Sequence, residues 1–187
     1  MPIERRIREL KDFHQKLEQP QWSMHGLGDI HEKHKEILTN WSRICALYSK
    51  LIPAEQAIVK DFLTNLGERM AEYIMKPIET MQDFDEYCEV AIRMTVEATF
   101  EGLYLHNLED GRLGDMDRVI RAATSMWQKA DIISDVLEDH VQGRILWPKC
   151  IWNKYVDNFD PLFEKEFQDA ARRCLNDMCL DAIRYVQ

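Results

Sequence analysis

The chain is 187 residues long, 45% hydrophobic and 30% charged, a balance that argues against a disordered segment and gives one domain the apolar material for a core. A net charge of -9 argues against a nucleic-acid backbone as the main partner, but it leaves room for an anionic substrate bridged to acidic side chains by divalent cations. The five cysteines, Cys45, Cys88, Cys150, Cys174 and Cys179, are odd in number and form no C-x-x-C pair, which argues against a disulfide framework or a structural zinc site.

The first segment, MPIERRIREL, is charged and lacks the apolar core of a signal peptide, and no apolar run reaches the roughly 18 residues that span a bilayer. The expectation is a cytoplasmic protein. Glycine is scarce and β-branched alternation is nearly absent, whereas apolar residues recur at helical spacing. The pattern predicts about seven helices, over 3–19, 29–51, 54–76, 82–106, 115–140, 149–157 and 161–186. Pro20 with Gly26 and Gly28 separates the first two. Pro53 suits a first helical turn, and Pro77 stops the third helix. NLEDGRLG, 107–114, is a turn cluster; Gly143 and Pro148 bracket a loop; Pro161 can open the last helix. This is an all-α chain of antiparallel neighbours joined by short loops, read as one domain over 1–187.

The fifth segment carries the candidate chemistry. DIISDVLED places Asp131, Asp135 and Asp139 on one helix face with Glu138 beside it, and Gln128 one turn earlier. Like charges at that spacing destabilise a helix by roughly 0.2–0.5 kcal/mol per pair. Either water absorbs the repulsion, which is the commoner fate of an acidic face, or a cation removes it. Apolar neighbours Trp127, Ile132, Val136 and Trp147 suggest that the stripe borders a cleft, and Arg144 stands in a glycine-containing loop where it can neutralise a carboxylate or meet a phosphate. Hard oxygen ligands without His or Cys suit Mg²⁺ shared with substrate phosphates, and the chemistry implied is ionisation of a diphosphate leaving group. His31-Glu32-Lys33-His34 is one residue short of H-E-x-x-H and reads as a solvated face.

The motif D-I-I-S-D-V-L-E-D-x(3)-G-R-x-L-W-P followed by I-W-N-K-Y resembles the squalene synthase/phytoene synthase family, in its eukaryotic squalene synthase form. Phe13 to Trp22 (F-H-x-x-L-x-Q-P-x-W), LGERMAEYI around Gly67, D-F-D-E-Y-C at Asp83 to Cys88 and R-x-C-L-N-D at Arg172 to Asp177 extend the likeness along the chain. The resemblance implies an isoprenoid-synthase helical bundle and head-to-head coupling of two farnesyl diphosphates, a transferase reaction of terpenoid and sterol biosynthesis. It implies Asp135, Glu138 and Asp139 as Mg²⁺ residues (to which the stripe itself adds Asp131), Gln128 and Arg144 as diphosphate-binding residues, and Tyr87 as the catalytic residue at the reaction centre. Read without the resemblance, Tyr87 is an aromatic on a helix, more often core than catalytic. For squalene synthase the likeness also implies NADPH as reductant and a setting at the endoplasmic reticulum face.

The sequence departs from the family pattern at several points. The family's first aspartate-rich motif would lie upstream of Met1, and its NADPH-side helices and anchor beyond Gln187. The small residues that follow Y-C in the family are replaced by Ala91–Val96, with bulk at Ile92 and Val96 and a charge at Arg93, which should shrink or alter the prenyl tunnel. Asp131 and Ser134 stand where the family has asparagine and arginine. Three functions fit: the family transferase; a diverged protein that binds a hydrophobic small molecule or cyclises it without prenyl coupling; and a non-catalytic remnant whose exposed apolar surface drives self-association.

Overall fold

The computed structural model describes residues 2–23, 32–110 and 117–184, with the side chains of 32–34 and 91 set aside. The H-E-K-H stretch therefore lies outside the described side chains. The described residues are helical and contain no strand, as the sequence predicts, but the expected seven helices become ten: α1 Ile3–Lys11, α2 Glu32–Thr39, α3 Trp41–Tyr48, α4 Pro53–Tyr73, α5 Met81–Cys88, α6 Ala91–Leu105, α7 Asp117–Ser134, α8 Val136–Val141, α9 Lys149–Trp152 and α10 Gln168–Ile183. Among the described residues no helix is long and apolar enough to cross a membrane. The chain divides into two compact units, Met1–Ile74 and Met75–Gln187.

In the first unit, α1 and a 3-10 turn at Phe13–Glu18 pack against α4. The contact passes over Gly67, where a Cβ would stand 2.2 Å from the Leu10 carbonyl oxygen, so only glycine allows the two backbones to approach. Leu17, Trp41 and Cys45 are buried among Phe13, Trp22 and Val59, and the Trp41 indole N–H donates to the Lys16 carbonyl at 2.7 Å. Pro53 opens α4, and the Glu55 carboxylate reaches back to accept the Ile52 N–H at 2.8 Å. The helix expected over 29–51 breaks at Asn40, whose side-chain amide donates to the Glu36 carbonyl at 2.9 Å and so competes with the helical ladder.

In the second unit, α7 is central and packs on α5, α6 and α10. Phe84, Cys88, Cys174 and Met178 are wholly buried there, with Ile132, Trp147, Trp152 and Phe159 around them. Two helices end in the same device: a left-handed residue at Asn107 (φ 55°) after α6 and at Gly143 (φ 74°) after α8. Each lets the following N–H groups reach back to the last turn, Leu108 to Leu103 and Arg144 to Asp139. The helix expected over 82–106 is broken at Glu89–Val90. The span 149–157 is helical only at Lys149–Trp152. Pro161 opens a 3-10 turn, Asp160–Phe163, rather than α10 itself.

Candidate functional site

The acidic stripe spans the joint between α7 and α8. Asp135 leaves helical geometry (φ -91°, ψ 5°), yet the ladder continues across it, with Asp135 N–H donating to Asp131 at 2.8 Å and Asp139 N–H to Asp135 at 2.9 Å. Ser134 explains the hitch. Its hydroxyl donates to the Asp131 carbonyl at 2.9 Å, a back-bond that bends helices. Asp131, Asp135 and Asp139 therefore stay at one-turn spacing, as their sequence positions require.

Their surroundings nevertheless split the four carboxylates into two sets. Asp131 and Asp135 are exposed, and the Asp131 carboxyl is held above the ordinary carboxylate range, chiefly by the protein around it and then by the charge of Asp135. Asp139 is 5% exposed and already neutralised: Arg144 Nε and Nη2 both donate to its Oδ1, at 2.9 and 2.5 Å. Glu138 accepts from Gln142 Nε2 at 2.9 Å, and Gln142 Oε1 accepts from Arg144 Nη1 at 2.7 Å. The expected four-carboxylate grip is accordingly not assembled: among the described residues no group of three or more His, Cys, Asp or Glu side chains is gathered as a metal ion would need. Mg²⁺ asks for less than that. It keeps several waters and takes one or two protein carboxylates beside substrate phosphates, a demand that the Asp131–Asp135 pair fits.

The apolar company of the stripe is also one-sided. Ile132 and Trp147 are buried, the Trp147 indole donating to the Ile132 carbonyl at 3.3 Å, whereas Trp127 is 59% exposed and faces solvent. Gln128 is half-buried on the same helix, and Tyr87 is half-buried on α5 against the core. Thr80 caps α5: Asp83 N–H donates to its hydroxyl at 3.1 Å, and the Asp83 carboxylate accepts the Thr80 N–H at 2.9 Å. The start of α9 is pinned to the segment before α5, with Lys149 and Cys150 N–H donating to the Ile78 and Glu79 carbonyls at 2.9 Å each.

Two side chains take places that sequence reasoning did not assign. Arg93, expected to alter a prenyl tunnel, is held by Glu97 at 2.6 Å and by Asp117 at 2.9 Å, so its charge joins α6 to α7. Lys129 is fully buried, its Nζ 2.5 Å from Asp85 Oδ1 and 2.6 Å from Asp181 Oδ2. Burial pulls its ammonium down, and the two carboxylates outweigh burial and hold it above the ordinary lysine range. A signal was present in the sequence, because Lys129 falls on the inward face with Ser125 and Ile132, at helical spacing.

Comparison with known proteins identifies the family. The family model for squalene/phytoene synthase matches residues 2–187. The chain belongs to the squalene/phytoene synthase family. Squalene synthase of Rattus norvegicus is 28% identical over 184 residues, 98% of this chain and 44% of that protein. Squalene synthase of Eremothecium gossypii is 31% identical over 185 residues, 95% of this chain and 42% of that protein. A protein named inactive squalene synthase 2, from Arabidopsis thaliana, is 28% identical over 190 residues, 100% of this chain and 45% of that protein. A solved structure of TcSQS with the ligand BPH1237 superposes with a TM-score of 0.88 at 29% identity, covering 100% of this chain and 55% of that one. The fold is thus the helical fold of the squalene/phytoene synthases, and this chain spans less than half the length of the curated relatives it matches.

Proposed function

We propose that this squalene/phytoene synthase family chain binds a prenyl diphosphate with Mg²⁺ on the α7–α8 face, as part of a transferase that couples farnesyl diphosphate head to head. The observation that carries the reading is the exposed Asp131–Asp135 pair, one turn apart, whose Asp131 carboxyl is raised chiefly by the protein around it and then by the charge of Asp135. Mg²⁺, when bound, supplies the charge that offsets the negative charge developing on the leaving diphosphate. Asp131 and Asp135 hold the cation side of the site. Glu138 and Asp139 act through Gln142 and Arg144, which they orient. Arg144 is half-exposed, and its guanidinium N–H groups serve a phosphate oxygen once they turn from Asp139. Gln128 offers its amide to the same diphosphate, and Tyr87 stands at the reaction centre, where its phenol steers proton loss. The matched structure of TcSQS with the ligand BPH1237 supports a small molecule as occupant. The setting is the cytoplasm at the endoplasmic reticulum face, with NADPH entering only if coupling proceeds to reduction.

A second reading is favoured by the neutralised Asp139 and by the Arabidopsis relative named inactive: a family member that holds a hydrophobic ligand without coupling. Incubation with farnesyl diphosphate, Mg²⁺ and NADPH separates the two. Presqualene diphosphate and released diphosphate support the first reading. Calorimetric binding of farnesyl diphosphate that ignores Mg²⁺, with no turnover, supports the second.

A further inference from the structure

Lys129 is the one fully buried charged side chain among the described residues, and it lies on the helix that carries the acidic pair. Two carboxylates that hold it come from two other helices: Asp85 from α5 and Asp181 from α10. The Phe84 ring centroid is 5.1 Å from Nζ, so the ammonium also meets an aromatic face from α5. Cys88, wholly buried on α5, feels the same charge: burial pushes its thiol up while Lys129 pulls against that push. The cluster thus has one cation and two carboxylates, of which Asp85 is 39% and Asp181 14% exposed.

Such a cluster is a poor device for stability alone. Removing charges from water costs several kcal/mol per ion in effective terms, and apolar replacements of buried ion clusters are often neutral or stabilising. What a fixed ammonium between two carboxylates does supply is register, because sliding any one helix breaks a short charge-assisted contact that no apolar neighbour replaces. Lys129 stands one residue after Gln128 and two before Asp131, and Asp85 stands two before Tyr87. The clamp therefore joins the backbone that bears the acidic pair to the backbone that bears the tyrosine.

We infer that Lys129 is a positioning residue: with Asp85 and Asp181 it fixes α5 and α10 on α7 and so sets where Tyr87 stands relative to Gln128, Asp131 and Asp135. The role of those residues in catalysis rests on the prenyl diphosphate reading above; the clamp does not. A misplacement of about 1 Å at a reacting pair lowers rates by up to roughly a hundredfold.

Lys129→Met alone leaves two carboxylates beside a buried gap and is expected to unfold the unit. The informative protein is the triple variant Asp85→Asn/Lys129→Met/Asp181→Asn, compared with the unaltered chain by calorimetry, hydrogen exchange and kinetics on farnesyl diphosphate with Mg²⁺. The expected result is an unfolding midpoint unchanged or raised, α5 amides exchanging roughly tenfold faster, and kcat down roughly tenfold to a hundredfold with KM changed less. Unaltered α5 protection together with unaltered kcat overturns the inference, and so does a kcat loss that merely follows a fall in midpoint. An unaltered chain that neither binds nor turns over farnesyl diphosphate overturns the proposed function instead. The clamp is then decided by α5 exchange alone, faster exchange supporting it and wild-type protection overturning it.

Discussion

Arg144 folds back onto Asp139, and both its Nε and its Nη2 donate to a single carboxylate oxygen, at 2.9 and 2.5 Å. The turn that allows this is closed by Gly143 at φ 74° and by the Arg144 N–H donating to the Asp139 carbonyl at 2.8 Å, so main chain and side chain return to the same residue. Arg144→Ala leaves a nearly buried carboxylate without its cation and is expected to cost about 1–3 kcal/mol in urea unfolding. Adding Asp139→Asn to that variant should recover part of the loss, because the amide needs no counter-charge. A double variant no more stable than Arg144→Ala would show that the pair is incidental to folding. Gly143→Ala should cost about 1–2 kcal/mol for the left-handed backbone alone, with the Arg144 contact weakened as well.

Gly67 gives a sharper steric prediction. Alanine within a helix is ordinarily better than glycine by about 1 kcal/mol. At this site the added Cβ meets the Leu10 carbonyl oxygen at 2.2 Å and its carbon at 3.1 Å, both of them backbone atoms that no rotamer change moves. The clash outweighs the propensity gain, and Gly67→Ala is expected to destabilise the first unit by about 1–3 kcal/mol, read as a lower denaturation midpoint for Trp41 fluorescence. A midpoint at or above that of the unaltered chain would mean that α1 moves off α4 without cost.

At the start of α5, Thr80→Ala removes a cap worth about 1 kcal/mol, and circular dichroism of the thermal transition should register the loss. The Asp83 carboxyl is held below its usual value, chiefly by the Thr80 hydroxyl and N–H, with Lys76 adding less. A depressed folded value means stability that is present above the unfolded value, about 3.9, and lost as pH falls through the folded one. Asp83→Asn should therefore flatten the acid limb of the stability curve below about pH 4, with little change in slope near neutrality.

Helix positions and the acidic stripe were legible because periodicity and one-turn spacing depend on local geometry alone. The breaks were not. Asn40 and Ser134 interrupt helices through side-chain bonds to their own backbone, and nothing in apolar spacing marks which Asn or Ser does so. The D-F-D pair looked like one motif, yet Asp83 caps a helix while Asp85 meets Lys129 across 44 residues of sequence, a partnership that only tertiary packing creates. Arg144 was placed beside either a carboxylate or a phosphate, and the fold shows the first of these. The grouping of Asp139 with Arg144, rather than with Asp131 and Asp135, depends on the turn at Gly143, which the sequence marked only as a loop.

The exposed pair supplies the prediction that bears most directly on function. Asp131 titrates above the ordinary carboxylate range in the folded chain, because of the protein around it and because of Asp135. A raised folded value means that the folded state binds the proton more tightly than the unfolded one. Stability is therefore gained as pH falls, starting near the folded value and complete below the unfolded value of about 3.9. Asp131→Asn should abolish that gain and raise the melting temperature at pH 7 in metal-free buffer, since the repulsion with Asp135 is gone. Millimolar Mg²⁺ should raise the melting temperature of the unaltered chain and do so less for the variant, whose Mg²⁺ affinity is expected to fall roughly tenfold with the lost ligand charge. Equal Mg²⁺ shifts in the two proteins would remove Asp131 from the cation site, leaving its raised carboxyl as a surface property of the helix.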